Sequence, residues 1–189
     1  MEAPRRIVIV EGDSDAAAVR TLARTVGLDL VTEGIEVRAA NGVTNYPKLI
    51  GKFRRDLPEV PLRGLYDQGE ERHVGTGLGV AVEIADRPVD VRAAIEEQGF
   101  FVCVADLEDE LIRALGTEGV EQVLAEHDDL RSFRRFQAQP QHRDGATSQQ
   151  LRRFMGTRAT RKIRYGRLLV EALAPALAPL PLLRVLDLA

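Results

Sequence analysis

The sequence predicts an α/β fold, with a central parallel sheet of about four strands flanked by helices and a helical C-terminal region. Three observations predict it. Short β-branched runs alternate with helical patterns over the N-terminal part of the chain, and units this short pair in parallel through right-handed crossovers. Beyond about Leu107 only helical patterns remain. Apolar residues make up 44% and aromatics 5%, with no Trp, which favours an aliphatic α/β core over an all-β sandwich.

Arg5–Val10 (RRIVIV) is a β-branched run without helical alternation and predicts the first strand. Glu11-Gly12-Asp13 breaks it. Ser14 is the expected N-cap of the helix DAAAVRTLARTVG, with Gly27 as its stop. Ile35–Ala40 predicts the second strand, Asn41-Gly42 a turn, and Asn45–Phe53 a helix that exits at Pro58–Pro61. Leu62–Tyr66 is the third strand, ending at Asp67. Gln68–Arg87, with Gly69, Gly75, Gly77 and Gly79, predicts a long irregular connection. Asp90 caps a helix through Gln98, Gly99 ends it, and FFVCVA (100–105) is a fourth, fully apolar strand. Helices are then expected at Leu107–Leu115, Glu118–His127, Leu130–Gln137, Gln149–Met155 and Arg158–Leu173. GATSQQ (145–150) is the best internal boundary. The division expected is a core over 1–117 and a helical region with a basic segment over 118–189.

The 189 residues suit one compact domain with a helical appendage. The single Cys103 excludes an internal disulfide and a cysteine-based zinc site, and predicts a reducing compartment. MEAPRRIVIVEGD has too short an apolar run for a signal peptide. The apolar tail LLVEALAPALAPLPLLRVL carries Glu171, Arg184 and three prolines, so it is expected to pack rather than span a membrane. A soluble, cytoplasmic protein is expected.

The net charge of −3 conceals an asymmetry. Residues 1–130 hold 14 Lys+Arg against 26 Asp+Glu, a net of −12; residues 131–189 hold 12 against 3, a net of +9. Such segregation fits either an acidic cation site beside a polyanion-binding surface or an Arg-rich helical face packed on an acidic one.

Ligands collect at the carboxyl ends of strands in a parallel sheet. Glu11 follows strand one, Asp67 strand three and Asp106 strand four. Asp15 lies one turn from Glu11, and Glu108 follows Asp106 in DLEDEL. Singly, these acids read as helix-start or turn residues. Together at one edge they would repel, and hard cations such as Mg²⁺ or Mn²⁺ would relieve the repulsion. His73, His127 and His142 share no ligand or triad spacing, and Cys103 reads as a small core residue. GTGLG (75–79) follows no strand and lacks the Lys of a phosphate loop.

The segments IVIVEGDSDAAAV, GLYDQGE and FFVCVADLEDELIRALG together resemble the Toprim domain, a Rossmann-like fold. More narrowly, they resemble the Toprim domains of the OLD (overcoming-lysogenization-defect) family nucleases, most clearly over residues 5–116. Glu11 and Asp67 fit the Glu and the first Asp of the Toprim pattern. Asp15, Asp106 and Glu108 fit the further acids of OLD-like members. The resemblance implies metal ligation by Glu11, Asp15, Asp67, Asp106 and Glu108, with Glu11 also catalytic, and a Lys from the helical tail, matched here by Lys162, that stabilises charge on the phosphate. Two departures stand out. Gly69 replaces the second Asp of Asp-x-Asp, leaving Glu70, Glu71 or DLED to complete the site. The sequence also contains no G-x-x-x-x-G-K-[ST], whereas family nucleases carry an ABC-type ATPase on the same chain.

The function expected is a metal-dependent DNA nuclease or nickase using two Mg²⁺ or Mn²⁺ ions about 4 Å apart, alone or with a separate ATPase or helicase. Arg152, Arg153, Arg158, Arg161 and Arg164 would contact the nucleic-acid backbone. A non-catalytic or regulatory nucleic-acid-binding module and an RNA-processing Toprim nuclease remain the alternatives.

Overall fold

A computed structural model describes residues 3–80, 83–84, 87–88 and 90–189. The main sheet comprises β1 (Arg6–Val10), β2 (Ile35–Ala39), β3 (Leu62–Asp67) and β6 (Phe100–Cys103), in the order β2-β1-β3-β6 and all parallel. Between them run α1 (Asp13–Thr25), α2 (Tyr46–Asp56), α3 (Glu71–Leu78) and α4 (Val91–Glu97). Alternation along β1 explains the layering. Val8 and Val10 face one buried cluster, while Ile7 and Ile9 face the other, so both sheet faces are covered.

The second face is closed by α2, α3 and α4, with Tyr46, Ile50, Val74 and Ile95 buried against Phe100. Tyr46 donates its hydroxyl to the Ile9 carbonyl at 2.8 Å and shares it with the Leu65 carbonyl. The first face is closed by α1 together with α5 (Leu107–Glu126), α6 (Leu130–Gln137), α7 (Thr147–Gly156) and α8 (Ala159–Ala172). Leu151, Tyr165 and Leu169 share one continuous core with Val8, Val19 and Leu22, so residues on both sides of position 117 fill the same cluster. The tail forms α9 (Leu180–Val185) and packs on β3 and β6. Arg184 lies 4.3 Å from the Phe101 ring centroid and pairs with Glu96, and Asp187 pairs with Arg6 and Arg63. No helix among the described residues is long and apolar enough to cross a membrane.

Four local expectations are corrected. Gln68–Arg87 is not irregular throughout: a 3₁₀ turn spans Gln68–Glu70, α3 follows, and β4 (Glu83–Ile84) pairs antiparallel with β5 (Arg87–Pro88). Residues 81, 82, 85 and 86 of that stretch lie outside the described set. Gly77 lies inside α3, where a Cβ would meet Pro47 Cα at 2.8 Å, so close packing on α2 requires the glycine. Ser14 lies within α1; the N-cap is Gly12, whose N–H donates to Asp15 at 2.9 Å. Strand four ends at Cys103 because Ala105 takes φ +69° and the Val104 N–H donates to Glu110. Asp106 therefore stands three residues beyond the strand instead of directly after it. The break expected between Leu115 and Glu118 does occur within α5, at Gly116.

Candidate metal centre

All four strands of the main sheet point the same way, so the turns after β1, β3 and β6 share one edge. Glu11 is the first residue after β1, and Asp67 is the last of β3. Asp106 is the N-cap of α5, its Oδ1 accepting from the Asp109 N–H at 2.8 Å. Asp15 and Glu108 are buried in the first turns of α1 and α5.

These carboxyl groups feel one another. Burial, and then the charges of Glu11, Asp15 and Asp106, push the Asp67 carboxyl up to about 8. Burial likewise raises Glu108 to about 7 against the opposing pull of Lys162, and it raises Asp15 against the Gly12 hydrogen bond. Glu108 Oε2 is buried without a hydrogen bond; Lys162 Nζ is 3.2 Å away but off the hydrogen-bonding direction.

Lys162 reaches the cluster because α8 crosses the first turn of α1 at backbone contact. A Cβ on Gly166 would meet the Ser14 carbonyl oxygen at 2.8 Å, and Lys162 lies one turn before that crossing. Burial lowers the Lys162 ammonium, but Glu108, Asp15 and Asp106 outweigh it and hold the group at about 12. It remains charged throughout the neutral range.

Among the described residues, no three His, Cys, Asp or Glu side chains converge as a ready-made metal cage. The existing bonds explain this. Asp15 is turned to Gly12, Asp106 holds Arg152 at 2.6 Å, and Glu108 faces Lys162. The donor set nonetheless fits a hard divalent cation. All five groups are carboxylates, their charges oppose one another at one edge, and one buried oxygen lacks a hydrogen bond.

Of the two acids that could replace the residue at Gly69, Glu71 accepts from Arg92 at 2.8 Å, whereas Glu70 makes no ion pair among the described residues. Tyr66, beside Asp67, is buried in the opposite core.

The structure divides the basic segment. Arg153 and Arg158 are exposed and make no ion pair among the described residues, and Arg152 lies half-buried on Asp106. Arg161 and Arg164 are engaged by groups of the chain itself. Arg161 sits 4.1 Å over the Phe154 ring and donates to Thr157, while Arg164 donates to Asp129, which also accepts from the Tyr165 hydroxyl. Arg161 ties α8 to the end of α7, and Arg164 ties it to the α5–α6 junction. Gly166 is the participant that sequence reasoning does not reach, although a glycine inside an otherwise regular helix is an available signal for it.

Residues 4–62 match the family model described as the overcoming lysogenization defect protein-like TOPRIM domain. The fold is similar to the C-terminal region of the OLD protein of Xanthomonas campestris pv. campestris. Identity is 22%, the TM-score is 0.71, and the match covers 99% of this chain and 95% of that one. The C-terminal region of the Burkholderia pseudomallei OLD protein is similar at 20% identity and a TM-score of 0.69, covering 98% and 96%. No curated protein matches the chain in sequence.

Proposed function

We propose that this chain is a metal-dependent phosphodiesterase acting on nucleic acid, a DNA nuclease or nickase of the OLD-type Toprim class. The observation that carries the reading is the carboxylate edge itself. Glu11, Asp67 and Asp106 lie at the turns after three parallel strands and Asp15 and Glu108 in the adjoining first turns; burial, and then the charges of Glu11, Asp15 and Asp106, raise Asp67 to about 8, and cationic helices flank the group.

Glu11, Asp15, Asp67, Asp106 and Glu108 would hold Mg²⁺ or Mn²⁺, two ions in the full site. Such ions, when bound, supply an activated water and neutralise charge on the phosphate. Glu11 and Asp67 are the central acids because, among the described residues, their side chains have no hydrogen-bond or ion-pair partner to displace, unlike Asp15, Asp106 and Glu108. Lys162, charged at neutral pH and aimed at the same edge, would stabilise charge that develops on the phosphate. Arg152, Arg153 and the exposed Arg158 would position the backbone without reading sequence. Arg161 and Arg164 would support α8. No side-chain nucleophile is required. DNA is the preferred substrate in this reading, and a separate ATPase or helicase is a fitting partner.

A second reading, a nucleic-acid-binding module without catalysis, draws support from the engagement of Asp106 by Arg152 and of Glu108 by Lys162. Supercoiled plasmid incubated with Mg²⁺ or Mn²⁺ separates the two. Cleavage that disappears in chelator and falls by orders of magnitude in Glu11→Ala and in Asp67→Ala supports the nuclease. Retained cleavage in both variants refutes these ligands, and DNA binding without cleavage supports the module.

A further inference from the structure

α7 carries Gln149, Arg152 and Arg153 at the i, i+3, i+4 spacing that puts side chains on one helix face. With Asp106 they line a cavity of about 330 Å³ beside the carboxylate edge. A water occupies about 30 Å³ of liquid, so a tetrahedral oxyanion fits there with several waters. Two guanidinium groups and an amide face this space. Asp106, the one acid of the lining among the described residues, is already paired with Arg152. The cavity is therefore built for an anion, and guanidinium forks match phosphate oxygens in pairs.

Arg152 is claimed from both sides. Its Nε donates to Asp106 Oδ2 at 2.6 Å, and Asp106 Oδ1 accepts from the Asp109 N–H at 2.8 Å. Each oxygen of Asp106 thus carries a donor in the free protein, and the positive Arg152 guanidinium stands at Oδ2, where it competes with a cation for this carboxylate. We propose that Arg152 is a latch between an anion subsite and the cation site. A backbone phosphate entering the cavity draws Arg152 off Asp106 and frees that carboxylate for a divalent ion, so phosphate and metal strengthen each other's binding. The inference rests on the metal-dependent reading of the edge given above and adds to it a coupling between substrate and cation. The coupling is reciprocal: whatever factor the anion contributes to metal affinity, the metal contributes to anion affinity. Arg153, with no carboxylate partner among the described residues, is the resident half of the subsite.

The test uses the full chain and needs no turnover. Mn²⁺ affinity is measured from the electron paramagnetic resonance of free Mn²⁺, in sodium chloride and in sodium sulfate at equal ionic strength. Sulfate serves as the tetrahedral dianion. The wild type is expected to bind Mn²⁺ about five- to tenfold more tightly in sulfate, within the usual range for coupled sites. Arg152→Ala and Arg152→Gln, checked for folding by thermal melting, should bind Mn²⁺ more tightly in chloride and lose the sulfate response. Arg153→Ala should shrink that response. Wild-type affinity that is unchanged or weaker in sulfate overturns the latch, as does weaker Mn²⁺ binding in both Arg152 variants. That result leaves the metal site standing. No Mn²⁺ binding in either salt overturns the metal-dependent reading and the latch together.

Discussion

Asp67→Asn should stabilise the metal-free protein at pH 8. The Asp67 carboxyl moves from an ordinary value of 3.8 to about 8 in the fold, first through burial and then through Glu11, Asp15 and Asp106. Because the folded value is the higher one, the fold prefers the neutral acid. Its contribution to stability is fully present below about pH 3.8 and is lost as pH rises through about 8. At about 1.4 kcal/mol per unit, a shift of this size sets a ceiling of about 6 kcal/mol. Water entry and side-chain rotation reduce such penalties, so about 1–3 kcal/mol is the working expectation. For a chain of this length that corresponds to a rise of about 3–10 °C in Tm. Thermal unfolding in chelator should show the variant above the wild type at pH 8, with the gap closing as pH falls toward 4. Adding Mn²⁺ should stabilise the wild type more than the variant and narrow or reverse the gap, because binding to the folded state at about a hundred times its dissociation constant contributes about 2.7 kcal/mol to the wild type. A variant less stable than the wild type at pH 8 in chelator, or equal stabilisation of both by Mn²⁺, would refute the argument that Asp67 is strained by its neighbours and relieved by a cation.

Lys162→Ala should lower the cleavage rate at least a hundredfold while changing DNA affinity less than threefold, since it acts on charge that develops in the reaction; equal losses would reduce it to a backbone contact. Gly166→Ala inserts a Cβ 2.8 Å from the Ser14 carbonyl oxygen and should cost about 1–3 kcal/mol, read as a lower midpoint in denaturant titration. Arg153→Ala with Arg158→Ala should flatten the salt dependence of duplex DNA binding by up to about two units of slope, whereas Arg164→Ala should lower thermal stability and leave the slope unchanged because its partner is Asp129. A slope unmoved by the first pair would place the substrate elsewhere.

The strands and the acids that follow them were legible because each signal is local. A β-branched run broken by Glu11-Gly12, or a run ending at Asp67, states both the element and its carboxyl end within a few residues. Parallel pairing then puts the ends on one edge. The tail's packing role was also legible, from its prolines and charges. Other features depended on partners distant in the chain. α3 forms across Gly75 and Gly77 because α2 packs against Gly77, and propensity read along the chain cannot register that contact. The fate of the arginines was equally hidden. Within the run from Arg152 to Arg164 all look alike as charges, yet Arg161 and Arg164 are held at Asp129, Arg152 sits on Asp106, and Arg153 stays open. Charge is a property of the residue and is visible in the sequence. Whether that charge is spent on a neighbour or left for a ligand is decided by which carboxylate the fold brings within about 4 Å, because ion pairing falls away steeply with distance and with water between the groups.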